Sequence, residues 1–171
     1  MPAASHGDIN NLVVDLMTYQ AFVAGLTHIP DMMAGEGLTF QESLLRVLAE
    51  TCDSEFAFAA IHSPVDGSLR PFVTYPNPTP VELPERLESP ILEAVIAHER
   101  ADMINTLVDP QRTVLPGVRT ALLVPYRHRG AQCVVCVCNR AADSFARPGL
   151  KVPYTSHEVK MVQALLELRP V

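Results

Sequence analysis

The spacing of apolar positions outlines the elements. From residue 8 to residue 30, apolar or aromatic side chains recur at Ile9, Leu12, Leu16, Tyr19, Val23 and Leu26. Steps of three and four make a heptad seam over about five helical turns, and Asp8 is placed to cap it. A second stripe follows Val13, Met17, Ala21 and Ala24, and Asp15 is the only formally charged side chain between residues 9 and 30. A helix apolar on two sides cannot cover one core and leave its other face in water. One stripe is therefore expected on the domain and the other on a partner. Pro30 and Gly35/Gly37 are expected to end this helix.

Thr39-Phe40-Gln41-Glu42 is a capping-box pattern opening a second helix, with Leu44, Leu45, Val47 and Leu48 on its apolar face and an end near Cys52. Phe56–Ile61 and Leu69–Tyr75 read as strands joined through the Asp66-Gly67 turn signal. A proline-rich loop from Pro76 follows, then a short helix from Ser89-Pro90 to about His98. Residues 102 to 117 read as irregular. Thr120–Tyr126 and Ala131–Asn139 form a second hairpin around Arg127-His128-Arg129-Gly130, and the latter strand, apolar on both faces, should be central. Thr155-Ser156-His157-Glu158 opens the last helix. Consecutive hairpins with segregated helices predict an α+β domain around an antiparallel sheet of five or six strands.

At 171 residues the chain suits one domain with a sizeable core, expected to comprise an N-terminal dimerisation helix (1–38) and the main body of the domain (39–171). Net charge is −6, yet the first cation is Arg46, preceded by five acids. The N-terminal segment is therefore expected to serve neither as a secretory n-region nor as a nucleic-acid-binding arm. The absence of tryptophan weakens any case for stacking on bases. Without a long uncharged apolar run, the chain is expected to be cytoplasmic, with neither membrane nor nucleic acid as partner.

The segments Ser43–Ala49, Arg119–Tyr126 (RTALLVPY), Arg129-Gly130 with Val134–Asn139, and Ser144-Phe145 with the helix from Thr155 resemble, in order and local pattern, the GAF domain, a small-molecule-binding module of signalling proteins. The likeness covers roughly residues 39 to 169. It departs where the usual glycine of the last strand gives way to a cysteine-rich run. The resemblance implies terminal helices on one face of the sheet and an insert, residues 76–117, over the other. It implies a ligand between sheet and insert, and a homodimer through residues 9–26 and the C-terminal helix that passes the signal to an output domain or partner protein. Pocket positions expected from it are Phe58, Tyr75, His98, Asn105, Arg112 and Arg119. The excess of cations from Arg100 to Lys151, eight against three acids, suggests an anionic ligand at Arg112 or Arg119. No cofactor can be named.

Catalytic motifs are missing: there is no G-x-S-x-G elbow, Gly-rich phosphate loop or H-E-x-x-H, so no catalytic residue and no metal site is assigned. Cys133, Cys136 and Cys138 lie on a strand with Cys133 on one face and the other two opposite, poor geometry for a metal. A thiol-dependent redox enzyme or sensor, akin to free methionine sulfoxide reductases, is one alternative. It lacks support from the insert, since Pro76 to Tyr126 contains no cysteine. A ligand-free dimerisation module with a filled interior is the other.

Overall fold

The computed structural model describes residues 6–106, 108–141 and 154–168, with side chains from Leu16 onward apart from Thr18. The chain opens with helix α1 (His6–Thr27) and a separate short helix α2 (Ile29–Glu36). The first helix ends near Pro30 as expected, and α2, which the sequence reading left unassigned, follows it. Pro30 lacks an N–H and its ring clashes with the preceding turn, so α1 stops before it. Near a helix start the same proline is favourable, and α2 resumes with it in the first turn. Gly35 is accommodated within α2, and Gly37 closes it at φ 69° in the left-handed region.

Among the described side chains of the two predicted stripes of α1, Leu26 alone reaches the inner face. Leu16, Met17, Tyr19 and Val23 are all exposed, at 52, 65, 55 and 42%. The helix lies on the domain through Phe22, Gly25 and Leu26, continued by Ile29 of α2. That i, i+3, i+4, i+7 line is narrow, and Gly25 makes it close. A Cβ at Gly25 would lie 2.7 Å from Val47 Cγ1 of helix α3 (Phe40–Thr51). The capping box of α3 forms as expected: Glu42 N–H donates to Thr39 Oγ1 (3.1 Å), and Thr39 N–H donates to Glu42 Oε2 (2.8 Å).

Strands β1 (Ser54–His62), β2 (Leu69–Tyr75), β3 (Asp102–Asn105), β4 (Thr120–His128) and β5 (Ala131–Arg140) form one antiparallel sheet of five, in the order β2-β1-β5-β4-β3. β5 is central and buried from Cys133 to Asn139. Its turn from β4 is the two-residue Arg129-Gly130, both at positive φ (50° and 81°), the mirror-type turn whose twist suits a hairpin. Edge strand β2 carries Pro71 beside a bulge opposite Ala59/Ala60, both compatible with an edge. Residues 102–105, expected to be irregular, are strand β3. Four residues are too few to declare a period of two; pairing with Thr120–Leu123 of β4 selects the conformation.

The pleat sorts β1 into two chemistries. Ala57 and Ala59 face α1, α2, α3 and helix α5 (Ser156–Leu168), and their small side chains let α3 lie close. Phe56 and Phe58 face the other way, beneath helix α4 (Pro90–His98) and its flanking loops. Terminal helices on one face and the insert on the other is the predicted arrangement. The N-terminus of α5 is fastened by a buried ion pair between Arg140 and Glu158, whose side chains are 13 and 6% exposed. The Arg140 guanidinium lies 5.0 Å over the ring centroid of Tyr154, whose hydroxyl is 2.7 Å from Ser54 Oγ. Glu158 also accepts from Thr155 N–H (3.0 Å) in the α5 capping box. Ser144 and Phe145 lie outside the described residues. Among the described residues no helix is long and apolar enough to cross a membrane.

Candidate functional site

The space between sheet and insert is built from apolar parts. α4 starts on Ser89, whose hydroxyl accepts from Leu92 N–H, with Pro90 in the first turn, and it buries Leu92, Val95 and Ile96. The returning loop adds Val114, Leu115 and Val118; the sheet contributes Phe56, Phe58, Leu123, Cys136 and Cys138. These side chains interdigitate at 0 to 4% exposure. Returning any one of the large ones to water costs about 1.5–3 kcal/mol, so a ligand entering here must replace their contacts atom for atom.

The six expected pocket residues do not converge. Phe58 lies in this filled layer. Tyr75 packs on the helical side of the sheet, 5.8 Å beneath the Arg46 guanidinium, and burial among those helices raises its pKa. Asn105 ends β3, its carbonyl accepting from Val108 and Asp109 N–H. Arg119 reaches outward to Glu55 (3.2 Å). The insert is anchored there instead by Asn139, held at φ 61°. Its side chain accepts from Arg119 N–H (2.7 Å) and donates to Gly117 O (3.1 Å) and Glu55 (3.2 Å). Sequence reading passed over Asn139; a polar residue closing an apolar strand was the available signal.

Two of the six do come together. His98, at the end of α4, and Arg112, paired with Asp102, flank a groove of about 1110 Å³ along the outer edge of β3. Its far wall is α5, with Val159 and Lys160, and Arg100 and Met103 complete the near side. Spacing along the chain does not bring residue 160 beside residue 112; the sheet edge does.

All four cysteines are free and at most 1% exposed. Val135 and Val137 point to the helical layer while Cys136 and Cys138 point beneath the insert, as the strand period requires. Loss of solvation raises the pKa of each thiol, which suppresses the thiolate that redox chemistry needs. Cys133 borders a cavity of about 100 Å³ beside Tyr126 and Arg127, room for a few waters. Among the described residues no group of three His, Cys, Asp or Glu side chains is placed to hold a metal ion.

No protein-family model and no curated protein matches the sequence. Solved structures do match. The GAF domain of a phosphoenolpyruvate-protein phosphotransferase from Coxiella burnetii is similar with a TM-score of 0.59 at 11% identity, over 85% of this chain and 88% of that one. Its counterpart from Acinetobacter gives 0.59 at 11%, over 87% of each. The GAF domain of a two-component sensor histidine kinase from Bacillus halodurans gives 0.51 at 8%, over 86 and 89%. At such identities the likeness is one of fold. The chain is an α+β domain with a GAF-like fold.

Proposed function

We propose that the chain is a regulatory domain that acts as a homodimer, with α1 and the end of α5 at the contact. The observation that carries this reading is a continuous apolar surface without a partner in the single chain. Leu16, Tyr19 and Val23 run along the outer face of α1. Leu26 then leads into an apolar groove of about 1120 Å³ walled by Pro30 and Met33 of α2, Phe40 and Leu44 of α3, and Leu165 of α5. Contiguous apolar surface on this scale is unusual on a monomer. A two-fold contact would bury one such face against its copy and give each α5 a direct connection to the partner. The similar domains come from two phosphotransferases and a sensor histidine kinase, which supports a regulatory rather than catalytic role.

Analytical ultracentrifugation tests the dimer. Wild type should sediment as a dimer, and Leu16→Asp as a folded monomer with unchanged circular dichroism. A monomeric wild type, or an undisturbed dimer in the variant, would remove the assignment.

A second reading is capture of a small, anionic ligand between sheet and insert, with the change passed through the terminal helices. It is favoured by the make-up of the cover, in which, among the described residues, only α4 and β3 are regular between residues 76 and 119. Apart from β3, which pairs with β4, such a cover shifts without breaking the sheet's ladders. The packed layer beneath it favours the first reading, in which dimer contacts alone carry regulation. A thermal-shift screen of small carboxylates and phosphates separates the two: stabilisation lost in Phe58→Ala but kept in Arg100→Glu supports capture under the insert.

A further inference from the structure

The α4–β3–α5 groove holds charge that the chain itself leaves unanswered. Among the described residues, every lysine and arginine meets a carboxylate except Arg100, Arg129 and Lys160. Arg129 stands at the exposed tip of the β4–β5 turn. The other two line this groove, Arg100 just after α4 and Lys160 on α5, and His98 joins them from the end of α4. Asp102, the single acid among the described lining residues, is already held by Arg112. In a chain of net charge −6 that pairs its other cations, this is a local surplus aimed at one place.

Between the cations the groove is apolar. Ile91 of α4, Val159 of α5 and the 41% exposed Met103 of β3 lie along it. A bare anion or a nucleic-acid phosphate would answer the charge and leave these side chains in water. The occupant that answers both has an apolar face with acidic flanks. At about 1110 Å³ the groove is larger than most small-molecule sites. Nor does its floor invite strand pairing. Met103 N–H already donates to Asp102 Oδ1 (2.8 Å), and the Asn105 carbonyl accepts from Val108 and Asp109 N–H. A chain segment lying here must therefore satisfy its own backbone, as a helix does.

We infer that this groove receives an acidic amphipathic helix of a partner protein. Its apolar face would rest on Ile91, Met103 and Val159, and its acidic side chains would reach Arg100 and Lys160 from the two flanks. The inference goes beyond dimerisation and does not depend on it.

The test uses the full chain and two synthetic peptides, acetyl-Glu-Leu-Glu-Glu-Leu-Leu-Glu-Glu-Leu-Glu-Glu-Leu-Leu-Glu-amide and its lysine-for-glutamate counterpart. The acidic peptide should shift the methyl resonances of Ile91, Met103 and Val159, and it should show the circular dichroism of a helix when bound. The lysine peptide should not bind. Arg100→Glu/Lys160→Glu, at two exposed positions, should weaken acidic-peptide binding at least tenfold and bind the lysine peptide instead. Leu16→Asp should bind the acidic peptide like wild type, which separates this surface from the dimer. The inference is overturned by absence of these methyl shifts at millimolar acidic peptide, by equal binding of the lysine peptide, or by full affinity in the double variant. Shifts confined to Met33 and Leu165 would place the peptide in the other groove and refute it equally. Binding without helical structure would refute helix docking and leave a charged surface only.

Discussion

Cys136 illustrates what burial does to a single side chain. It is fully enclosed beneath the insert, where loss of solvation, with Cys138 nearby adding to it, holds its pKa well above that of a free thiol. The unfolded chain ionises its thiols from about pH 8.5. The folded chain keeps its protons, so the stabilisation is fully present below that pH and is lost as pH rises beyond it. Each thiol contributes a slope of about 1.4 kcal/mol per pH unit in that range. Urea unfolding at pH 7, 8.5 and 10 should show wild type losing stability, and Cys136→Ala losing less over the same interval. Parallel curves would mean that the thiol is not held neutral. Cysteine spacing made the facing of these residues legible in the sequence; the depth of Cys136 and Cys138, which raises their pKa, comes from the insert closing over them.

At the scale of elements, the N-terminal helices show how one small residue sets an interface. Gly25 lets α1 approach α3 until a Cβ would meet Val47 at 2.7 Å. Gly25→Val should push α1 off the domain and cost about 1–3 kcal/mol, as overpacking of a tight contact does. Denaturant unfolding checks this, and a variant as stable as wild type would show that the close approach is dispensable. The heptad reading marked Leu16, Tyr19 and Val23 as apolar but could not identify Phe22, Gly25 and Ile29 as sharing the inner line with Leu26. Phe22 stood on neither stripe, and glycine has no hydropathy signal. The other end of the fold is fastened differently. The Arg140–Glu158 pair couples the central strand to the start of α5, so the helix that lines the apolar groove through Leu165 is held to the sheet by charge at its far end. Both the β5 run and the Thr155–Glu158 capping box were visible in the chain. Their union was not, because the partners are eighteen residues apart and on different elements.

For the whole molecule, association is linked to stability. A dimer that buries the α1 face stabilises the folded state by mass action, so the unfolding midpoint should rise with protein concentration in wild type and stay constant in Leu16→Asp. Differential scanning fluorimetry over a hundredfold range reads this directly, and a wild-type midpoint independent of concentration would argue against the dimer. Hydropathy period, capping boxes and turn glycines determined the α+β class, both hairpins, α3, α4 and α5 to within a residue or two, because each is a local signal with a local cause. Tertiary structure alone decided the rest. It made residues 102–105 a strand, since β4 pairs with them along their length. It turned Tyr75 toward the helices and Arg119 to the surface, since side-chain direction follows pairing register. It also filled the layer beneath the insert and set residues 112 and 160 on one groove beside β3, a juxtaposition that depends on which strand lies outermost among the described residues.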